Sequence, residues 1–238
     1  LGILVGRIFG PAGILGISSM AIICAVTNSN GSVYYALMQT YGDDIDCACM
    51  PILAINDGPF LTLVALGASG LADIPIMSLV AALVPIIAGM ILGNLDNKVT
   101  EFFGPVGDAI IPFTGFSLGA GIDLANVLKG GVSGIVLGLI TIFIGGGFIY
   151  LCDHFIGRRP GYAAWAVATT AGNAVAVPAV IGTADPAWAE FVGTATVQVA
   201  ASTVLSALLV PFIVSWWAKK FGCPKFPKEA KTEKASGK

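Results

Sequence analysis

Long apolar runs separated by short polar breaks fill the chain up to about residue 217. The runs are long enough to cross a bilayer as α-helices, which takes about 20 residues. The chain does not show the alternating ten-residue pattern of a membrane β-barrel. The pattern therefore predicts an all-α membrane protein, a polytopic helical bundle with spans at roughly 12–40, 47–70, 73–94, 103–123, 131–152, 161–181 and 187–217.

The first and sixth predicted spans each carry a polar interruption near the middle. Asn and Gly are poor helix formers, and polar side chains have no water at that depth, so we expect the backbone to unwind. Unwound backbone is tolerated there only inside protein or beside a wet cavity. The interruptions are Thr27, Asn28, Ser29, Asn30 and Gly31 in the first span, and Thr169, Thr170, Ala171, Gly172 and Asn173 in the sixth.

The first and sixth spans must cross the membrane in opposite directions. Each span changes the side on which the chain lies, and five crossings separate the start of the first span from the start of the sixth. Two oppositely oriented, interrupted helices indicate an inverted repeat whose half-helix ends meet at the midplane. A half-helix N-terminus suits a carboxylate, and freed carbonyls with Thr and Asn side chains suit a cation or sugar hydroxyls. We therefore predict a substrate-binding site formed by all the residues of both interruptions except Ala171. The alternative is a pair of kinks whose polar side chains bond neighbouring helices.

Two acidic residues are predicted to couple ion movement to transport. Asp57 lies about ten residues into the second span, where a carboxylate costs roughly 2.5–3.5 kcal/mol. Protonation or a bound cation removes this cost, which makes Asp57 the first candidate for proton coupling. Asp123, at the end of the fourth span, is the second candidate. Asp123 and Asp108 also fit solvated positions at helix ends.

Charge sets the class of protein and its orientation. Only 26 of the 238 residues are charged, too few to cover the surface of a soluble enzyme. Loops on one predicted side hold ten Lys and Arg residues and loops on the other hold two, which places the C-terminus in the cytoplasm. We divide the chain into a transporter domain, 1–218, and a basic cytoplasmic tail, 219–238. The net charge of −2 argues against a nucleic-acid partner.

Other polar residues have ordinary structural interpretations. The acidic loop 43–46, beside Cys47 and Cys49, is interpreted as solvated, because its spacing matches no common zinc site. Gln198 belongs to a polar stripe in the last span that either bonds neighbouring helices or contacts substrate. We predict no metal site and no cofactor.

Five runs of sequence carry a resemblance to a known family. The chain resembles the 2-keto-3-deoxygluconate permeases, bacterial proton symporters of that sugar acid, up to about residue 220. The runs are TNSNGSVYYALMQTYG (27–42), NDGPFLTLVALGASGLA (56–72), LVPIIAGMILGNLD (83–96), IPFTGFSLGAGIDL (111–124) and TTAGNAVAVPAVI (169–181).

The resemblance implies a fold similar to that of bile-acid symporters and Na⁺/H⁺ antiporters. That fold has ten helices in two inverted five-helix repeats, in which the fourth and ninth helices cross at unwound centres. Residues 12–40 would be the fourth helix and 161–181 the ninth. About seven of the ten spans would then be present, with about three N-terminal helices missing. The resemblance also implies uptake of the sugar acid with protons across the bacterial inner membrane, and a homodimer is left open.

Three other functions remain open from the residues alone. The first is a sodium-coupled carrier of organic anions with the same fold. The second is an intramembrane hydrolase that uses Asp57 with Asp108 or Asp123, although the estimated depths of Asp57 and Asp123 differ. The third is a passive channel, which the paired interruptions disfavour because they indicate an occluded site.

Overall fold

The computed structural model describes residues 1–56, 59–103, 105–106, 116 and 124–227. Over these residues the chain is helical and has no β-strand, which confirms the predicted all-α class. The named α-helices are α1 (Gly2–Phe9), α2 (Ser19–Val26), α3 (Gly31–Tyr41), α4 (Asp44–Ala48), α5 (Met50–Ile55), α6 (Pro59–Ser69), α7 (Ile76–Leu95), α8 (Leu124–Leu139), α9 (Gly146–Phe155), α10 (Tyr162–Val167), α11 (Val177–Ala184) and α12 (Val192–Phe221). Short 3₁₀-helices cover Asn173–Ala176 and Pro186–Phe191, and a π-helical segment, Ile140–Gly145, joins α8 to α9.

Within the described residues, three helical stretches are long and apolar enough to cross a membrane. They are Ile76–Leu95, Gly131–Phe155 and Pro186–Phe221, which correspond to the third, fifth and seventh predicted spans. The first, second and sixth predicted spans are each divided into shorter helices. The fourth predicted span, 103–123, falls almost entirely outside the described residues.

Capping side chains set the edges of the break in the first span, residues 27–30. The Ser18 side chain accepts a hydrogen bond from the Ala21 N–H at 3.1 Å and begins α2. The Asn30 Oδ1 accepts from the Val33 N–H at 3.0 Å and begins α3. A cap satisfies N–H groups that have no partner within their own helix, so it fixes where the new helix begins.

The sixth predicted span has a matching break at residues 168–172. Helix α10 ends at Val167, and helical structure resumes at Asn173 as a 3₁₀ turn that continues into α11. Both interrupted spans therefore consist of two half-helices, as the sequence predicted. We call residues 27–30 the first break and residues 168–172 the second break.

Apolar side chains form two buried clusters that α12 connects. One cluster contains α2 and α11, and the other contains α3 and α10. Helix α12 contributes Ala195, Val199 and Ala200 to the first cluster and Val210, Val214 and Ala218 to the second. Each cluster therefore holds one half-helix from each interrupted span, and each break connects a half-helix of one cluster to a half-helix of the other.

Close packing brings α8 against α12. A Cβ atom at Gly134 would lie 2.5 Å from the Ala201 Cβ, and one at Gly138 would lie 2.8 Å from the Leu205 Cδ2. Real carbon atoms do not approach this closely, so only glycine fits at these two positions. Small residues four apart that allow helix backbones to approach are typical of membrane helix pairs.

A charged cluster joins α3 and α4 to the start of α10. The Asp46 side chain is 1 % exposed, and its Oδ1 lies 2.5 Å from the Arg159 Nη2. The Tyr162 hydroxyl donates to the Asp46 Oδ2 at 2.6 Å, and the Tyr34 hydroxyl donates to the Asp46 carbonyl at 2.9 Å. Asp46 also completes a capping box with Asp43 at the start of α4.

The interpretation of the acidic loop as wholly solvated is therefore wrong for Asp46. Burial alone would lower the pKa of Arg159, but its hydrogen bond to Tyr162 and the charge of Asp46 outweigh that effect and raise it. Arg159 thus remains charged at every physiological pH. The cluster formed by Asp46, Arg159, Tyr162 and Tyr34 therefore contains an ion pair between a buried carboxylate and a guanidinium that is 31 % exposed.

Contacts between loops agree with the two predicted sets of loops. In the set rich in Lys and Arg, Asp46 pairs with Arg159, the Trp217 Nε1 donates to the Pro160 carbonyl and the Lys225 Nζ donates to the Gln39 carbonyl. In the other set, the Asp73 N–H donates to the Asp185 carboxylate, and the Trp188 Nε1 donates to the Leu71 carbonyl. The contacts of Asp46 with Arg159, Asp73 with Asp185 and Trp188 with Leu71 join loops that the sequence assigned to the same side, and the other two join a loop or the tail to a helix end.

The outer faces of the helices are strongly apolar. The apolar stretch of α7 is not buried inside the protein, and Ile76, Val84 and Ile91 on this helix are exposed. Exposed apolar surface on this scale is typical of a protein that faces lipid or another protein. This surface agrees with the membrane class that the composition predicts.

Replacing Arg159 with Ala should strongly destabilise the protein. The substitution leaves the buried Asp46 carboxylate without its counter-charge, which costs about 3 kcal/mol. Thermal unfolding of the purified full-length protein in detergent measures this loss. The matched control is Arg158→Ala, because Arg158 is the exposed neighbour. Equal unfolding temperatures for the two variants would contradict a stabilising role for the ion pair.

Candidate substrate-binding site

The two breaks contact each other directly, through backbone groups that the unwinding releases. The Asn30 N–H donates to the Thr169 Oγ1 at 2.8 Å, and the Ala171 N–H donates to the Asn28 carbonyl at 2.9 Å. A third contact joins the Thr170 hydroxyl to the Ala25 carbonyl at 3.4 Å. We call this meeting point the crossing.

Four helix ends meet at the crossing with alternating polarity. Helices α2 and α10 end there, while α3 and the helical stretch Asn173–Ala184 begin there. A helix start carries partial positive charge and N–H groups without intrahelical partners, whereas a helix end carries partial negative charge on free carbonyls. The crossing therefore offers favourable positions for both an anionic group and a cation or hydroxyl donor.

Side chains of the first break bond to the second predicted span. The Thr27 and Thr62 hydroxyls lie 2.6 Å apart, and the Asn28 Nδ2 donates to the Thr62 Oγ1 at 3.0 Å. The Asn56 Nδ2 donates to the Ser29 Oγ at 2.9 Å. Thr62 and Asn56 were not among the predicted site residues.

One side chain and two backbone groups of the second break bond to the middle of α12. The Thr170 hydroxyl lies 2.8 Å from the Ser202 Oγ, and the Thr170 N–H donates to the Ser206 Oγ at 2.9 Å. The Thr203 hydroxyl donates to the Ala171 carbonyl at 3.2 Å. Ser202 and Ser206 are four residues apart and so share one helix face, a spacing that would have indicated a polar contact surface.

Asn173 differs from the other polar residues of the crossing. Its Oδ1 is buried and has no hydrogen-bond donor within reach among the described residues. A buried acceptor without a partner costs about 1–3 kcal/mol, so such atoms are rare in native structures. The Asn173 amide is therefore well placed to accept a hydrogen bond from a bound molecule.

The predicted coupling residues Asp57 and Asp123 lie outside the described residues, as does Asp108. The residue before Asp57 in the chain, Asn56, bonds to Ser29 of the first break. Thr62, five residues after Asp57, bonds to Thr27 and Asn28. In the part of the chain that is described, no three His, Cys, Asp or Glu residues lie together as metal ligands would.

Gln198 has a structural role away from the crossing. Its Oε1 accepts from the Ser18 N–H at 3.1 Å, and its Nε2 donates to the Gly16 carbonyl at 2.6 Å and to the Ser133 Oγ at 3.2 Å. The amide thus has partners on both its atoms. Gln198 was predicted either to bond neighbouring helices or to contact substrate, and these contacts favour the first role.

Two oppositely oriented, broken helices that meet at a polar crossing within an apolar bundle are the architecture of secondary transporters. Comparisons with known proteins give the particular family. The model of the 2-keto-3-deoxygluconate permease family matches residues 1–223, and the chain belongs to this family. Members of the family are permeases, so the protein is a membrane transport protein and not an enzyme.

Several curated proteins are similar to the chain. It is 49 % identical over 220 residues to 2-keto-3-deoxygluconate permease 1 of Salmonella typhimurium, which is 92 % of this chain and 69 % of the relative. It is 39 % identical to the 2-keto-3-deoxygluconate permease of Pectobacterium carotovorum, over 87 % of this chain and 65 % of the relative. The permease of Bacillus subtilis is 37 % identical, over 86 % of this chain and 62 % of that protein. No solved structure matches the chain.

Two asparagines at the crossing should differ in their effect on stability. Asn28→Ala removes the donor to the Cys24 carbonyl and to Thr62, which should cost about 1–3 kcal/mol. Asn173→Ala removes an acceptor that has no partner in the described part of the chain, and it should leave stability unchanged or slightly higher. Unfolding of the two full-length variants in detergent compares them. A large loss of stability for Asn173→Ala would show that its amide supports the fold.

Proposed function

We propose that the protein imports 2-keto-3-deoxygluconate with protons across the bacterial cytoplasmic membrane. The substrate class comes from the family and from the printed names of the relatives. The observation that carries the proposal is the crossing, where Asn30 bonds to Thr169 and the buried Asn173 Oδ1 has no donor among the described residues. A buried acceptor without a protein donor costs free energy, and a hydrogen bond from a polar substrate would remove that cost.

The chemistry of the crossing fits a sugar acid. The carboxylate would bind at the starts of α3 and of the stretch Asn173–Ala184, where N–H groups and helix dipoles favour an anion. Gly31 and Gly172 place no side chain beside these helix starts, which lets the substrate approach the backbone. A substrate hydroxyl would donate to the Asn173 Oδ1.

The remaining site residues hold the shape of the crossing. Thr169 and Asn30 join the two breaks, Asn30 also caps α3, and Thr170 attaches the second break to α12. Thr27, Asn28 and Ser29 bond to the predicted second span on both sides of Asp57 in the sequence. We assign these residues to binding through the geometry that they give to the backbone.

Asp57 is proposed to carry the coupled proton, with Asp123 as a second carboxyl. A proton on Asp57 would cancel the charge of the substrate, so that only the doubly loaded carrier reorients. A monoanion moving with one proton carries no net charge. The membrane potential, worth roughly 2.3 kcal/mol per charge per 100 mV, would then contribute nothing, and the pH gradient would drive accumulation.

The proposed orientation places the loops rich in Lys and Arg in the cytoplasm. The charged cluster, the Pro160 loop and the end of α12 lie together with these loops. Trp216 and Trp217, followed by Lys219 and Lys220, form the aromatic and basic anchor expected where a helix leaves the membrane. We therefore propose an inner-membrane, multi-pass protein with its C-terminus inside the cell.

Labelled 2-keto-3-deoxygluconate should accumulate in vesicles that contain the full-length protein and an imposed pH gradient. A protonophore should abolish accumulation, and removal of Na⁺ should leave it unchanged. Accumulation that requires Na⁺ and survives the protonophore would establish the sodium-coupled alternative instead. Absence of any uptake of this sugar acid would refute the proposed substrate.

Asp57→Asn should abolish proton-driven accumulation while keeping some exchange of substrate across the membrane. The amide resembles a protonated carboxyl but cannot release a proton, so the loaded form can move while coupling is lost. Uptake and counterflow in the same vesicles separate these two activities. Wild-type accumulation by this variant would remove Asp57 from the mechanism.

Asn173→Ala should weaken binding of the sugar acid about fivefold, because one hydrogen bond contributes about 1 kcal/mol. Titration calorimetry on the purified full-length protein measures the affinity. Val180→Ala, on an exposed position of α11, is the control that should bind normally. Unchanged affinity for Asn173→Ala would exclude the amide as a substrate ligand.

A further inference from the structure

Thr62 is a buried polar residue of α6 that the predicted site does not include. It is 0 % exposed, and its Oγ1 lies 2.6 Å from the Thr27 Oγ1 and 3.0 Å from the Asn28 Nδ2. A lone hydroxyl inside a membrane protein needs partners, and the two partners that Thr62 has among the described residues belong to the first break. The contact therefore joins α6 to the crossing.

The positions of the hydrogen atoms follow from counting donors. A threonine hydroxyl has one hydrogen to give and two acceptor lone pairs. Thr27 uses its hydrogen on the Ile23 carbonyl, 2.7 Å away. Thr62 must then donate to Thr27, and it accepts from the Asn28 amide. The direction of each bond in this small network is thus determined.

This network fixes the orientation of Asn28. Its Nδ2 faces three acceptors, the Cys24 carbonyl at 2.9 Å, the Thr62 hydroxyl at 3.0 Å and the Thr27 hydroxyl at 3.3 Å, so a flipped amide would place an oxygen against the carbonyl. The backbone carbonyl of the same residue accepts from the Ala171 N–H of the second break. Thr62 therefore acts on the contact between the breaks through Asn28.

The sequence position of Thr62 links this network to the proposed proton carrier. Asp57 lies between Asn56, which donates to the Ser29 Oγ, and Thr62. The segment 56–62 is therefore attached to the first break near both of its ends. A change in this segment can reach the crossing through three side-chain hydrogen bonds, one made by Asn56 and two made by Thr62.

We infer that Thr62 is a positioning residue for transport: its hydroxyl holds Asn28 and couples the segment that contains Asp57 to the crossing. This inference rests on the proposed function, because it assigns the crossing to substrate binding. Thr62 itself does not touch the substrate in this scheme. Its effect should appear in substrate affinity and in the pH dependence of uptake.

Another buried threonine supplies a matched control. The Thr141 hydroxyl donates to the Leu137 carbonyl in the preceding turn, and among the described residues it makes no hydrogen bond to either break. Thr141 is also buried, at 4 % exposed. Replacing either threonine with Val keeps the shape of the side chain and removes only the hydroxyl. The pair of variants thus separates a general cost of losing a buried hydroxyl from the loss of the Thr62 network.

The experiment measures uptake kinetics of 2-keto-3-deoxygluconate between pH 5.5 and 8 (roughly the range in which a desolvated carboxyl titrates) for full-length Thr62→Val, Thr62→Ser and Thr141→Val. Thr62→Val should raise KM about tenfold and shift the pH profile of uptake. Thr62→Ser, which keeps the hydroxyl, should restore both, and Thr141→Val should behave as wild type. A folded Thr62→Val protein with wild-type KM and pH profile would overturn the inference.

Hydrogen–deuterium exchange gives a second readout that needs no substrate. Thr62→Val should increase exchange in peptides covering residues 27–31 and 168–172, whereas Thr141→Val should not. If the wild type fails to take up this sugar acid, the proposed function fails, and exchange still tests the positioning role. Unchanged exchange at both breaks in Thr62→Val would refute that role. If Thr62→Val does not fold, wild-type kinetics and exchange in Thr62→Ser support the inference, and altered values in this hydroxyl-bearing variant contradict it.

Discussion

The need to satisfy backbone polar groups in an apolar surrounding is the constraint on which this structure depends. Unwinding two helices inside a bundle releases N–H and carbonyl groups that lipid cannot solvate. The breaks meet this need by bonding to each other, through Asn30 with Thr169 and Ala171 with Asn28, and by bonding to Thr62 and to α12. The hydrogen bonds of the crossing and the packing of the two apolar clusters therefore stabilise the same pair of interrupted helices.

Helix α12 has a different role at each depth. Its ends contribute apolar side chains to the two buried clusters, and its middle presents Ser202, Thr203 and Ser206 to the second break. Burying these hydroxyls beside the second break costs little free energy, because the unwound backbone supplies their hydrogen-bond partners. Helix α12 thus packs against both pairs of half-helices and supplies hydrogen-bond partners to the second break.

The sequence predicted the features that composition and local pattern determine. Apolar runs predicted the helical membrane class, and the Asn- and Gly-containing interruptions predicted both breaks. Contacts made by residues distant in the chain could not be predicted in this way. Asp46 was interpreted as solvated because its partner Arg159 is 113 residues away, and Thr62 looked like an ordinary residue of an apolar helix. Nothing local distinguishes a threonine that bonds to its own helix from one that bonds to another.

The charged cluster has a consequence for the order of assembly. Asp46 emerges from the ribosome long before Arg159, so its carboxylate has no counter-charge until most of the bundle has been synthesised. Burying an unpaired carboxylate costs free energy, so we expect the loop that carries Asp46 to stay in water until Arg159 has been synthesised. Closure of the cluster is then a late step in biogenesis, and it brings α3 and α10 together only when both halves of the protein are in the membrane.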